Sequence, residues 1–237
     1  MGGRGVIVAG MAETEGAGAA AGPRGATLFQ TLNVANENDW QRLVEAVLGR
    51  PGRVDARVNN AGIVLFAGIA GVSAADFDRI CAVNVKEAFL GIQRIGRAMN
   101  AAGRGATVNI PSIDGLRGAS GVAADVTSTW ALRGLTKAAA LECGRRGARV
   151  NSHYPGSVGT GLGKPMDLRG PARNRDCERD PLQRIGGPGE IAAAPLFRCS
   201  DEAFCICGAE LAVDGGWSAG HYHVALPVAP ASLAPAG

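Results

Sequence analysis

Short apolar runs rich in β-branched residues alternate along the chain with segments that repeat apolar residues at helical spacing. The apolar runs predict strands at residues 6–9, 27–34, 57–62, 107–110, 148–152 and 209–213. The helical patterns lie at 36–50, 73–102 (one long helix or a broken pair), 126–145 and 190–198. Strands that alternate with helices predict βαβ units, so we expect an α/β fold built as a single, doubly wound parallel sheet.

The helix termini carry recognisable start and stop residues. Asn36 or Asn38 is placed to cap the first of these helices, and Pro51-Gly52 follows its end. Ser73 precedes an acidic first turn and predicts the N-cap of the next helix. Because folds of this class bind ligands beyond the carboxyl ends of their strands, the residues that follow each strand are the first candidates for a site.

Composition fits a folded domain rather than a disordered or fibrous chain. Hydrophobic residues make up 46% and charged residues 19%, and the 36 glycines show no three-residue period. At 237 residues we expect one domain over residues 1–220, followed by an extended tail rich in Ala and Pro over 221–237. The net charge of +3 is scattered, which argues against a nucleic-acid partner.

The chain shows no sign of a membrane segment or of a metal site. No apolar run approaches the roughly 20 residues that a membrane helix needs, and the first apolar run is too short for a secretion signal. The six cysteines lack the regular spacing of a disulfide framework, so a cytoplasmic location is expected. Cys205 with Cys207, and His221 with His223, lack further ligands nearby, so no metal is expected.

Several short motifs follow the strands in a fixed order. They are Asn59-Asn60-Ala61-Gly62, Val83-Asn84-Val85, Ser112 at a strand end, Pro155-Gly156 with Thr160, and the closing segment from Gly208 to Trp217. Their order and spacing resemble the short-chain dehydrogenase/reductase family over about residues 5–219. Within that family the chain is most similar to bacterial 3α/20β-hydroxysteroid dehydrogenases.

The resemblance implies a Rossmann-type sheet, NAD or NADP as cofactor, and hydride transfer between the nicotinamide and a small alcohol or ketone. The family's catalytic set is Asn, Ser, Tyr and Lys. Asn84 and Ser112 match the first two, but the positions of the Tyr and the Lys hold Asp125 and Thr129. An unperturbed Asp has a pKa near 3.9 and is ionised at neutral pH, so it does not donate a proton, and Thr carries no charge. Tyr154 and His153 are substitute candidates, each with packing as the alternative.

The same resemblance implies the cofactor contacts. Asn60, Ala61 and Gly62 would lie beside the adenosine ribose, and Asn33 near the adenine. Pro155, Gly156 and Thr160 would lie beside the nicotinamide.

The family's glycine-rich loop has no counterpart at its expected place. Gly16 to Ala21 fits Gly-x-Gly-x-x-Ala by letter, but it lies too far from the preceding strand and is interpreted as coincidence. The better alignment places Val6–Ala9 on the family's second strand. The first strand and helix, about 25–30 residues, are then missing, and unpaired strand edges are expected.

The sequence leaves three functions open. The first is an oxidoreductase of this family whose activity is impaired or lost. The second is a non-catalytic relative that acts by self-association or partner binding, through the two helical patterns that match the family's oligomer interface, residues 76–100 and 126–143. The third is a decayed gene product. The first two predict a homo-oligomer.

Overall fold

A computed structural model of the chain describes residues 5–21, 27–49, 53–162, 177–223, 227–228 and 230. The strands are β1 (Val6–Gly10), β2 (Thr27–Thr31), β3 (Ala56–Asn59), β4 (Gly105–Asn109), β5 (Ala148–Pro155) and β6 (Glu210–Val213). The helices are α1 (Glu13–Ala20), α2 (Glu37–Leu48), α3 (Ala74–Cys81), α4 (Glu87–Ala101), α5 (Ala123–Gly144) and α6 (Pro188–Cys199).

Every strand pair is parallel, which confirms the doubly wound α/β architecture. The hydrogen-bonded strands form two parts, β1–β2 and β3–β4–β5–β6. Among the described residues no strand joins the two parts. The sequence predicts a single sheet, and the structure divides it between β1–β2 and β3–β4–β5–β6. The two parts share a layer of helices, because Ile7 of β1 packs against a buried cluster that contains Trp40 of α2 and Leu90 of α4.

Helices cover both faces of the four-stranded part. Val150 of β5 belongs to a buried cluster with residues of α4 and α5. Its neighbour Arg149 points to the opposite face, where its guanidinium donates to the backbone oxygen of Arg198 on α6. The core of this part therefore lies between the sheet and α4–α5, and α6 closes the other side.

The predicted caps are confirmed. The side chain of Asn36 accepts a hydrogen bond at the start of α2, and the Ser73 hydroxyl accepts one from the Asp76 amide at the start of α3. The long pattern at 73–102 proves to be α3 and α4 joined by a π-helical turn, Ala82–Lys86. The stop at Pro51-Gly52 lies outside the described residues.

Two parts of the sequence-based assignment were wrong. Strand β2 ends at Thr31 instead of residue 34, because Leu32 and Val34 leave the strand and are buried in the cluster around Trp40. Helix α1 was not predicted, since its sequence ETEGAGAA carries no apolar stripe. Gly16 and Gly18 lie within α1, which agrees with the interpretation of that glycine pattern as coincidence.

The C-terminal residues that the structure describes, 221–223, 227–228 and 230, belong to no helix or strand. None of the helices described is long and apolar enough to cross a bilayer. Within the same described residues no cluster of His, Cys, Asp and Glu could hold a metal ion.

Candidate active site

The candidate residues lie where strands end. Ser112 follows β4, Pro155 closes β5, and the Asn60-Ala61-Gly62 turn follows β3. Because β3, β4 and β5 are parallel neighbours, these ends meet at one edge of the four-stranded part. The N-terminal end of α5, which carries Asp125 and Thr129, packs against the turn that Ser112 begins.

Asn84 connects three segments of this edge. It lies in the π-helical turn between α3 and α4 and is buried. Its amide group exchanges two hydrogen bonds with the backbone of Ile63, at 2.9 and 3.0 Å. The same Nδ2 atom lies 3.1 Å from Ser128 Oγ and 3.5 Å from Asp125 Oδ1. The predicted Asn84 therefore joins the loop after β3 to the first turns of α5.

Asp125 is a buried carboxyl group, 9% exposed. Burial raises its pKa to about 6, and the nearby charge of Asp114 acts in the same direction. No cation contributes to the shift. At neutral pH the group is mostly ionised and works as an acceptor, not as a proton donor.

Thr129 supplies no charge to the site. Its hydroxyl donates to the backbone oxygens of Asp125 (3.0 Å) and Val126 (2.9 Å), one turn back along α5. The residue is buried. The hydroxyl is thus engaged within its own helix, as is common for Thr in a helix interior.

Ser112 begins a tight turn that sequence reasoning treated only as the end of a strand. Its hydroxyl accepts from the Asp114 amide at 3.2 Å and lies 3.5 Å from Asp114 Oδ2. Asp114 pairs with Arg117 at 3.4 Å, and the Arg117 guanidinium stacks on Trp217, 3.6 Å from the ring centre. Sequence reasoning missed Asp114, although its spacing of two residues from Ser112 is the signature of a side-chain-capped turn.

Tyr154 and His153 are both buried packing residues. Packing was the alternative to a substitute catalytic role for each of them. Tyr154 is fully buried on β5, its hydroxyl oxygen accepts from Ser152 Oγ at 3.1 Å, and burial raises its pKa. Its ring lies so close to Gly115 that a Cβ there would be 2.9 Å from Tyr154 Cε1. His153 is fully buried on the other face, and burial lowers its pKa to about 4, so it is neutral near pH 7.

The two lysines that the structure describes are engaged elsewhere. Lys137 lies 3.0 Å from Glu210 and donates to the backbone oxygen of Gly208 at 2.8 Å. Lys86 lies 3.7 Å from Glu37. Neither is bonded to Asp125 or Thr129, so neither of these two described ammonium groups takes the place of the family's lysine.

The predicted cofactor contacts have differing surroundings. Asn60, Ala61, Gly62 and Thr160 are exposed, as is Asn33, whose side chain accepts from the Ala35 amide in a turn after β2. Gly156 is closely packed, because a Cβ there would lie 2.9 Å from the Asp214 Cα. Asn33 follows β2 of the two-stranded part, whereas the remaining predicted contacts follow β3 and β5 of the four-stranded part.

The donor groups of this structure do not fit the pyrophosphate of a dinucleotide. Such a group binds where a glycine-rich turn opens onto the positive end of a helix. Every described α-helix instead carries a carboxylate in its first turn, and these acidic residues are Glu13, Glu15, Glu37, Asp39, Asp76, Glu87, Asp125 and Glu190. A carboxylate at that place already complements the helix dipole and repels a phosphate.

Comparison with known proteins identifies the lineage. Residues 2–218 match a family model described as enoyl-(acyl carrier protein) reductase. The chain is 40% identical over 192 residues to a cyclopentanol dehydrogenase of Comamonas sp., which covers 81% of this chain and 76% of that protein. It is 36% identical over 218 residues to a 3-alpha-(or 20-beta)-hydroxysteroid dehydrogenase of Mycobacterium tuberculosis, covering 92% and 81% of the two chains.

Solved structures agree with the sequence relatives. The fold matches a gluconate 5-dehydrogenase from Burkholderia cenocepacia, solved with NADP and tartrate, with a TM-score of 0.84 and 27% identity over 90% of this chain and 85% of that one. It matches a levodione reductase equally well, with a TM-score of 0.84 and 29% identity over 91% and 88%. This chain belongs to the short-chain dehydrogenase/reductase family of oxidoreductases.

Proposed function

We propose that this chain is a family member whose NAD(P)-dependent hydride transfer between a small alcohol and its ketone is impaired or lost. The observation that carries the proposal is the pair Asp125 and Thr129. Asn84 Nδ2 lies 3.5 Å from the buried carboxyl group of Asp125, which stands where the family has its phenol, and Thr129, whose hydroxyl is bonded within its own helix, stands where the family has its ammonium group.

The chemistry explains why this pair matters. A hydride that leaves carbon must be matched by a proton that leaves the attached oxygen, so the reduction of a ketone needs a proton donor at that oxygen. Asp125, with a pKa of about 6, is a poor donor at pH 7, and no described cation stabilises a phenolate or holds a ribose hydroxyl at this site.

The substrate class rests on the relatives. A cyclopentanol dehydrogenase and a hydroxysteroid dehydrogenase are both named for the oxidation of ring alcohols, so a cyclic secondary alcohol or its ketone is the substrate that we propose. NAD or NADP is the cofactor, held at most weakly because no pyrophosphate cradle is found in the described residues. A reducing, cytoplasmic location belongs to the proposal, since the exposed Cys205 and Cys207 are both thiols.

Cofactor binding is tested by titration of the purified chain with NADH and, separately, NADPH, followed by nicotinamide fluorescence. We expect weak, saturable binding with a Kd in the high micromolar range or above. No saturable signal up to millimolar cofactor would overturn the oxidoreductase proposal and favour a non-catalytic role.

Catalytic loss is tested by restoring both residues, with Asp125→Tyr and Thr129→Lys in one chain. We expect cyclopentanol oxidation in the presence of NAD⁺ or NADP⁺ to rise above that of the unmodified chain by about a hundredfold or more, which is the lower end of the usual contribution of general acid–base catalysis. The matched control carries Asp125→Phe with Thr129→Lys and lacks only the phenolic hydroxyl. Equal turnover by the two variants would show that the acid–base pair is not the cause of the loss.

A second candidate function is self-association, without catalysis, through α4 and α5. These helices flank an open groove of about 540 Å³ whose lining includes Phe89, Ile92 and Leu135. Phe89 is 47% exposed, and Leu141 on α5 is 76% exposed. A second copy of the chain, presenting the same helices, would cover them.

Light scattering on the purified chain tests this candidate. A dimer or tetramer that dissociates in Phe89→Asp, while Phe77→Asp on α3 leaves the mass unchanged, would support association through this groove. A monomeric mass for the unmodified chain at micromolar concentration would exclude it.

A further inference from the structure

The two parts of the sheet present free strand edges, and the packing of α1 and α2 shows which edge faces which. Phe29 of β2 packs against Gly16 of α1, and its partner in the parallel register is Val8 of β1. Ile7, one residue earlier, points to the opposite face and joins the cluster around Trp40 of α2. Helices α1 and α2 therefore lie on opposite faces of the β1–β2 pair.

This arrangement fixes the strand order. Crossovers between parallel strands are right-handed, so two successive crossover helices on opposite faces require the chain to reverse its direction across the sheet. The path from β1 to β2 and the path from β2 to β3 then run in opposite directions. Strand β1 lies between β2 and β3, and its free edge faces β3.

The backbone groups on these edges can be assigned from the ladder bonds. The oxygen of Gly10 accepts from the Leu32 amide, so alternation turns the N–H and C=O groups of Ile7 and Ala9 away from β2. The oxygen of Asn59 accepts from the Ile110 amide, so the groups of Ala56 and Val58 point away from β4.

Two rows of backbone donors and acceptors thus face each other, without a strand partner in the described part of the chain. We name the space between them, bounded by Ile7–Ala9 and Ala56–Val58, the strand slot.

The strand slot has a closed side and an open side. On the closed side the Arg57 guanidinium lies 4.9 Å from the centre of the Trp40 ring, and Leu90 of α4 packs against Trp40. On the open side Val6 is 53% exposed and Val58 is 47% exposed. Apolar β-branched side chains at a free strand edge are the feature that attracts an added strand.

We propose that the strand slot binds one extended, apolar peptide segment of four to five residues, parallel to β1 and β3. The length follows from the five residues of β1 and the four of β3. A strand placed between two others is bonded on both edges, and in a parallel sheet such strands are continuously apolar and β-branched. The segment joins the two parts into one sheet, and its side chains on the open side cover Val6 and Val58.

The test uses the full chain without cofactor and a fluorescein-labelled, blocked peptide, Lys-Val-Ile-Val-Val-Lys. We expect a saturable rise in anisotropy together with slower hydrogen exchange at the amides of Ile7, Ala9, Ala56 and Val58. The Ala9→Pro variant removes one slot amide and leaves the β1–β2 ladder intact, so binding should weaken at least about tenfold.

The matched control is Ala212→Pro, because the Ala212 amide points outward from β6 at the far edge of the sheet. It should bind as the unmodified chain does. If circular dichroism shows that Ala9→Pro does not fold, Val58→Pro blocks the opposite edge of the slot in the same way.

Three results would overturn the proposal: no saturable binding up to millimolar peptide, equal binding by a Lys-Val-Pro-Val-Pro-Lys peptide, or equal loss in Ala9→Pro and Ala212→Pro. Dimerisation of the unmodified chain that Ala9→Pro alone abolishes would also overturn it, since the occupant would then be a second copy. The measurement needs no hydride transfer, so its failure is distinct from a failure of the oxidoreductase proposal.

Discussion

Asp125 makes the stability of the protein depend on pH. Burial raises its pKa to about 6, so the folded state holds its proton more tightly than the unfolded chain, where the pKa is near 3.9. The stabilisation is fully present below about pH 4 and is lost as the pH rises through 6, at a total cost of about 3 kcal/mol. We expect Asp125→Asn to unfold at higher urea than the unmodified chain at pH 8, and the gap to shrink towards pH 4.5.

An Asn side chain at this position keeps an oxygen that can accept from Asn84 Nδ2. Urea denaturation at both pH values therefore isolates the charge. A stability difference that is the same at pH 4.5 and pH 8 would contradict the pKa shift.

His153 acts in the opposite direction. Burial lowers its pKa to about 4, and the charge of Arg198 adds to this effect. The folded state therefore favours the neutral ring, and the stabilisation is complete above about pH 6.5 and is lost as the pH falls through 4. We expect the His153 ring protons to show no chemical-shift titration between pH 8 and pH 5.5 in NMR spectra. A His153 midpoint near 6.5 would contradict this account.

Single residues also show how far the sequence predicts the site. Asn36 and Ser73 were found as caps because capping is decided within one turn of chain. Asn84 and Ser112 were assigned through short motifs, and their catalytic role stays a prediction. The spacing of Asp114 from Ser112 indicates the turn that they share, but the effect of Asp114 on the Asp125 carboxyl group arises from tertiary packing, which no local pattern encodes. The cofactor contacts at Asn33, Asn60 and Thr160 stay predictions.

At the scale of elements, an ion pair joins β3 to α4. Arg57 Nη2 lies 3.3 Å from Glu87 Oε1, and both side chains are about 90% buried. Burial raises the pKa of Glu87 to about 7 and lowers that of Arg57 to about 10, although each partner opposes the shift of the other. Gly91 on α4 leaves the room that the guanidinium occupies, because a Cβ there would overlap it.

We expect Arg57→Met alone to cost about 3–5 kcal/mol, since it leaves the Glu87 carboxylate buried without a partner. Adding Glu87→Leu should recover most of the loss, because apolar side chains of similar volume can replace a buried pair. Urea unfolding of the two single variants and the double variant measures the coupling. Additive losses in the double variant would show that the pair contributes nothing as a pair.

The elements that the sequence mispredicted share one cause. Leu32 and Val34 are apolar enough to extend a strand, but they lie beyond its end and pack into the buried cluster around Trp40. Helix α1 packs through Gly16, where the absence of a side chain admits the Phe29 ring. Hydrophobic periodicity reports neither kind of contact, because both depend on residues that are distant in sequence.

For the whole molecule, the division of the sheet predicts two levels of stability. The β3–β6 part has its own buried cluster, which combines residues of α4, α5 and β5. The β1–β2 part has one hydrogen-bonded ladder and is held to the rest through the cluster of Trp40 and Leu90. A two-stranded pair is only marginally stable by itself, so we expect it to open locally while the larger part stays folded.

Native-state hydrogen exchange measures this difference directly. The amides of Val8, Leu28 and Gln30, bonded within β1–β2, should exchange at least about tenfold faster than those of Thr107 and Val108 in β4, which corresponds to an opening free energy lower by about 1.4 kcal/mol or more. Because the cluster around Trp40 is the link, Leu43→Ala should widen the gap by speeding only the first group. Equal exchange rates in the two groups would show that the two sheet parts unfold as one cooperative unit despite the missing ladder between them.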